Sequence, residues 1–156
     1  MGDLGGESRL PEVLGRRLTY LLARVAVAAG RQAGAALTEL GIDTRHYSVL
    51  AAVETGDGPS QRAVGDILGI DRATVVALTD DLEQHGLLRR TRSATDRRAY
   101  SLTLTGEGRR VVRAAHTLMD ECERHFLSSL PDAGQAQLAA LLRLLLPATA
   151  PPRDTP

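Results

Sequence analysis

The sequence predicts a mainly α-helical protein with a small β-hairpin wing: a winged helix-turn-helix held between long N- and C-terminal helices. Three observations predict it. From Ser60 to Gly86, two short stretches of helical periodicity are separated by a tight turn. After Gly86 the apolar period drops from 3.6 to 2 over two short runs joined by a polar connection, Ser93 to Arg98. Charge is also segregated. From Gly86 to Arg113 eight arginines stand against two acids, a net +6, in a chain whose formal total is zero. So steep a local excess is the expected electrostatic footprint of phosphate binding.

Length and composition bound the answer. A chain of 156 residues with 43% hydrophobic content can bury a core, which excludes an intrinsically disordered protein. All 19 basic residues are arginine, a bias that coding composition explains as readily as a preference for guanidinium. The opening MGDLGGESRL has no apolar run behind a basic region, and no stretch reaches the roughly 20 apolar residues of a membrane span. A cytoplasmic protein without membrane contact is therefore expected. The single cysteine, Cys122, cannot form an internal disulfide, and no Cys/His cluster has zinc-site spacing, so neither metal nor cofactor is expected.

Taken in order, Met1 to Ser8 is Gly-rich and is expected to fray, and Pro11 suits the first turn of a helix running to about Ala36. Leu14, Leu18, Leu21, Leu22, Val25 and Ala29 form its apolar stripe. Asp43 reads as the N-cap of a helix over Thr44 to Glu54, with Tyr47, Leu50 and Val53 inward and His46 placed to reach back to the cap. Thr55 to Pro59 is a linker. Ser60 then caps Gln61 to Leu68, with Val64, Ile67 and Leu68 on one face, and Gly69 breaks the helix. Asp71 can accept the backbone N–H of Thr74 and cap a second helix, Arg72 to His85, in which Val75, Leu78 and Leu82 point inward. Its opposite face carries Arg72, Ala73, Val76, Ala77 and Asp80, side chains able to reach base edges in a major groove.

Beyond Gly86, Leu87 to Arg92 pairs with Ala99 to Leu104 as a hairpin. Thr105 caps a long helix over Gly106 to Leu130 that carries Val111, Val112, Ala115, Leu118, Met119 and Phe126. Pro131-Asp132 restarts the chain into a last helix with Leu138, Leu141, Leu142, Leu145 and Leu146. Terminal segments fray unless docked, so a Leu-rich helix at the end of a small chain predicts burial against a second copy. Pro147 to Pro156 is Pro-rich and expected to be disordered. The domain plan is thus residues 1–42 for an N-terminal dimerisation helix, 43–105 for the DNA-binding winged helix, 106–147 for C-terminal dimerisation helices and 148–156 for a tail.

Asp96-Arg97-Arg98-Ala99, followed by Leu102, Leu104-Thr105 and Gly108, resembles the D-x-R-x-x-x-L-x-L-T signature of the multiple-antibiotic-resistance regulator (MarR) family. The similarity extends more weakly from about Leu14 to Leu146. Ala63 stands where that family commonly has Glu, and His46 where it commonly has Gln. The resemblance implies a dimeric winged-helix repressor or activator, often released from DNA by a small ligand or by oxidation. It also implies that Arg98 enters the minor groove from the wing tip and that Asp96 holds the wing arginines.

The expected function is therefore a homodimeric, sequence-specific transcriptional regulator, by expectation a repressor, on an inverted-repeat operator in double-stranded DNA. Its DNA-binding set is Ser60, Gln61, Arg62, Arg72, Ala73, Thr74, Val76, Ala77, Arg89, Arg92, Asp96, Arg97 and Arg98. If the helices meet as the resemblance implies, an inducer pocket forms where the first helix, the Thr44 helix and the helix after the wing converge, lined by Tyr20, Arg24, His46, Tyr47 and His116; the alternative is that Tyr20, Tyr47 and His116 are ordinary core residues and no inducer exists. Such a lining suits a small aromatic or amphipathic anion. The alternative is a winged-helix protein-interaction module, which the basic wing and the lack of an aromatic cluster disfavour. An enzyme is not expected, because the chain has no nucleophile motif and no phosphate-cradling Gly loop.

Overall fold

The computed structural model describes residues 10–92 and 100–149. Within them the order is α1 (Glu12–Gly15), α2 (Leu18–Thr38), α3 (Thr44–Thr55), α4 (Gln61–Leu68), α5 (Arg72–Gln84), β1 (Leu88–Arg92), β2 (Tyr100–Leu104), α6 (Gly106–Phe126) and α7 (Asp132–Thr149). Met1 to Ser8, the Ser93–Arg98 connection with Asp96, Arg97 and Arg98, and the end of the tail lie outside the described residues.

Most element ends are set by local capping. Asp43 accepts the backbone N–H groups of Arg45 and His46, and the His46 ring accepts the Asp43 N–H in return, closing a capping box on α3. The Ser60, Asp71 and Thr105 side chains cap α4, α5 and α6 by accepting from Ala63, Thr74 and Gly108. Gly69 adopts φ 65° to turn the chain between α4 and α5, and Gly86 adopts φ 69° between α5 and the hairpin. β1 and β2 form one antiparallel pair in the register Leu88↔Leu104 to Arg92↔Tyr100.

Leu37, Val49, Leu50, Val64, Val75, Leu82, Leu102 and Val112 are fully buried in a core to which α2, α3, α4, α5, the hairpin and α6 all contribute. Burial of one such side chain contributes about 1.5–3 kcal/mol.

Five expectations need correction. The first helix is broken: α1 ends at Gly15, Arg17 is extended at φ −92°, ψ 102°, and α2 begins at Leu18. The helix after the wing ends at Phe126 instead of Leu130, because Leu130 precedes Pro131, which disfavours helical geometry, and its N–H closes a turn on Leu127. The last helix runs to Thr149, past Pro147, which has no N–H to donate to the turn before it. Ile67 is 64% exposed, and Gly65 takes the inward place beside Val64. A Cβ on Gly65 would stand 3.1 Å from Val75 Cγ2 and 3.2 Å from the Ile70 carbonyl, so α4 approaches α5 through a missing side chain. Finally, the Thr55–Pro59 linker does more than connect. The Leu102 N–H donates to the Pro59 carbonyl at 2.9 Å and Ser60 bridges Ser101, so the end of the linker lies along β2.

Candidate nucleic-acid interface

The exposed face of α5 has the composition expected of a base reader. Arg72, Ala73, Val76 and Ala77 are all exposed, while Val75, Thr79 and Leu82 on the other side are buried and Leu78 partly so. The helix start is rigid. Asp71 accepts both the Thr74 N–H at 3.0 Å and the Thr74 hydroxyl at 2.6 Å, and these bonds, the hydroxyl's first, hold the Asp71 carboxyl below its ordinary value. The Thr74 side chain is thereby committed to the cap.

At the start of α4, Ser60 serves as the cap and Arg62 projects into solvent near Asp66, at 3.9 Å. Gln61 behaves differently from the sequence expectation: its side-chain amide turns inward and donates to the hydroxyl of Thr79.

On the hairpin, Arg89 and Arg92 are exposed, and Arg92 sits across the ladder from Tyr100, itself 51% exposed. The basic surface is smaller than the count of arginines implies. Arg90 is turned onto α5, where it pairs with Asp80 and, at 3.1 Å, with Glu83. Arg109 donates to the Leu104 carbonyl at 2.8 Å, closing the hairpin root. Arg110 forks onto Glu107, which holds that carboxyl below its ordinary value. Asp80, expected on the base-reading face, is therefore neutralised by the wing.

Of the expected inducer-pocket residues, the structure joins Tyr47 and His116 and sends His46 elsewhere. The Tyr47 hydroxyl lies 2.9 Å from His116 Nδ1, the rings meet edge to face at 5.5 Å, and His116 Nε2 lies 2.8 Å from Glu54. A proton on Nε2 lets the phenol donate to Nδ1 and the ring donate to Glu54, satisfying all three groups. Burial, reinforced by Asp120, Glu54 and Glu123, raises the Tyr47 pKa and keeps the phenol protonated. His46 instead spans the α3 cap and Asp81 of α5, with Nε2 2.9 Å from the Asp81 carboxylate. On α2, Tyr20 is half-buried and Arg24 exposed.

Among the described residues no cluster of three or more metal-ligating side chains occurs, and no helix is long and apolar enough to cross a membrane.

The sequence and the fold both match known proteins. A family model described as the MarR family matches residues 40–99. A protein from Thauera aromatica, described as a putative transcriptional regulatory protein for the hcr operon, is 31% identical over 129 residues, covering 82% of this chain and 78% of that protein. The structure of CouR from Rhodococcus jostii bound to p-coumaroyl-CoA superposes with a TM-score of 0.78 at 31% identity, covering 94% of this chain and all of that one. The transcriptional repressor CouR bound to a 23-mer DNA duplex gives a TM-score of 0.82 at 29% identity, covering 86% and 96% of the two chains.

Proposed function

Because the chain belongs to the MarR family of transcriptional regulators, we propose that it binds an inverted-repeat operator as a homodimer and acts by occupancy, without catalysing a reaction. The observation that carries this reading is the capped α5 with Arg72, Ala73, Val76 and Ala77 on its open face, flanked by the exposed Arg89 and Arg92 of the hairpin. The geometry suits α5 to the major groove and the hairpin to the adjacent minor groove. Two copies related by a two-fold axis then read half-sites about 10–10.5 base pairs apart, or a multiple of that. Residues 43–105 form the DNA-reading part in this proposal, and the helices on either side of it form the dimer. The protein works in the cytoplasm, and repression follows from blocking access to the DNA it covers.

Affinity and specificity separate in the proposal, which gives a direct test. Arg98→Ala, although the residue lies outside the described part, is expected to weaken binding and flatten log affinity against log salt by about 2, one phosphate contact per subunit. Arg72→Ala is expected to relax base preference at one symmetric position, at about 1–3 kcal/mol per half-site. Binding-site selection from genomic DNA checks both. An Arg72 variant that returned an equally sharp motif would reduce Arg72 to a phosphate contact.

The ligand side rests on the Tyr47–His116–Glu54 relay, which joins α3 to α6. An aromatic anion would pair with Arg24 and stack near Tyr47, in keeping with the p-coumaroyl-CoA bound by CouR. Ligand binding loosens operator binding only if it favours a different spacing of the two α5 helices. A coupling of about 1–3 kcal/mol corresponds to a 5- to 150-fold loss of affinity. A thermal-shift screen of aromatic acids and their coenzyme A thioesters, repeated on Arg24→Ala, is expected to yield hits that stabilise the native protein more than the variant and release DNA. Hits that stabilise both equally, or leave operator binding intact, would remove ligand control and leave DNA binding untouched.

A further inference from the structure

Three elements that face DNA in the proposed reading meet at one buried hydroxyl. Thr79 of α5 is fully buried. Its single proton goes to the Val75 carbonyl at 2.8 Å, and its oxygen accepts from Gln61 at the start of α4 and from Arg90 Nη2 of β1, the latter at 2.8 Å. A hydroxyl has one proton and two lone pairs, so Thr79 is fully subscribed. Arg90 continues outward from that point. It pairs with Asp80, donates from Nη1 to Glu83 at 3.1 Å, and donates its backbone N–H to the other Glu83 oxygen at 3.1 Å. Its side chain is only 24% exposed, against 46% for Asp80 and 38% for Glu83.

A guanidinium is a planar fork with five donors in fixed directions, so holding three acceptors on one helix fixes the strand's position and rotation against it. A two-stranded hairpin alone is marginal in stability; Leu88, Leu102 and Leu104 seat this one on the core, and Arg90 adds the polar hold that fixes it against α5. We propose that Arg90 is a positioning residue that locks the wing and α4 to α5 through Thr79, Asp80 and Glu83, so that both grooves are read by one rigid unit. This inference rests on the DNA-binding reading. The same pairing sets one guanidinium charge against the two carboxylates nearest the wing.

The test pairs a double variant, for which positioning and plain electrostatics predict opposite signs, with Arg90 variants that the salt slope separates. Asp80→Asn with Glu83→Gln makes each subunit more positive by two charges, so electrostatics alone would tighten DNA binding. Loss of the lock instead predicts binding about ten-fold weaker, with an unchanged salt slope. Arg90→Met should do the same, and Arg90→Lys, which keeps the charge without the fork, should restore binding only in part. The probe is the tightest duplex recovered by the native protein from fragmented genomic DNA. In parallel, amide exchange on the free dimer should show faster exchange in Leu88–Arg92 of the variants, with the buried turns of α5 unchanged. Tighter binding by the Asn/Gln variant, a salt slope reduced by about 2 in Arg90→Met, or unchanged exchange in β1 would each overturn the proposal. If the native protein recovers no fragment, the DNA-binding reading fails and the positioning role with it, while the exchange result still shows whether Arg90 holds the hairpin.

Discussion

Leu142→Glu is expected to turn the dimer into monomers at micromolar concentration and to abolish one-step operator binding. In a single chain α7 leaves Leu141, Leu142, Leu144, Leu145 and Leu146 exposed, by 40% for Leu142 and up to 76% for Leu144. Toward the other end of the sequence, Leu18, Leu21 and Val25 of α2 are exposed as well, although Ala33 and Leu37 farther along the same helix are buried. Apolar surface on this scale, gathered on two terminal helices, is the surface the proposed dimer would cover. Losing one leucine from it removes about 1.5–3 kcal/mol, and a two-fold axis doubles the loss to about 3–6 kcal/mol before the cost of desolvating two carboxylates is added. Each 1.4 kcal/mol is ten-fold, so the dissociation constant should rise by roughly two to four decades. Sedimentation velocity reads it directly. A native chain that sediments as a monomer yet binds operator in one step would sink the dimer, and a Leu142→Glu protein that assembles like the native one would move the interface off α7.

The second large effect is on stability. A β-carbon on Gly108 would lie 2.0 Å from the Leu87 carbonyl oxygen and 2.9 Å from its carbon. Both are backbone atoms, and the same carbonyl accepts the Thr105 N–H at 3.0 Å, so it cannot turn aside without breaking the joint between hairpin and α6. In an open helix Gly→Ala is favourable by roughly 1 kcal/mol. Here Gly108→Ala is expected to destabilise by about 3 kcal/mol or more, the upper end of the usual cost of overpacking, because no flexible side chain is present to give way. Urea unfolding should show a lower midpoint with a native-like slope. A midpoint at or above that of the native protein would mean that α6 can slide away from the hairpin, and that the close approach is not required.

Among the residues that reading the chain alone singled out for DNA, some are free on the surface, Ser60 and Thr74 are taken up by caps, and others are held by distant partners. Arg72, Ala73, Val76, Ala77, Arg89 and Arg92 are exposed on the elements assigned to them. Gln61 and Asp80 are not available in the same way, because each is held by a partner far along the chain, Gln61 by Thr79 and Asp80 by Arg90. The inducer set divides similarly. Tyr47 and His116, 69 residues apart, are brought into contact, whereas His46 is occupied by Asp43 and Asp81. One signal for the buried network was present in the sequence: Thr79 falls on the inward face of α5, between Val75 and Leu82, where a hydroxyl must find partners.

What the sequence determined by itself is what depends on bonds within a few residues. Asp43, Ser60, Asp71 and Thr105 cap the helices they were expected to cap, and Gly69 and Gly86 turn the chain where left-handed geometry is needed. The change of period after Gly86 gives the hairpin, with its first strand starting at Leu88, one residue later than expected. The tertiary structure alone decided which side of each element is spent on the interior. Ile67 and Gly65 exchange roles because α5 approaches α4 too closely for a side chain at Gly65. Arg90 leaves the basic surface because Asp80 and Glu83 are within its reach, and the end of the linker joins β2 because Leu102 presents an N–H to Pro59. Helix caps and glycine turns are settled by the chain's own nearest atoms, whereas burial and pairing depend on groups that only folding brings within hydrogen-bonding distance.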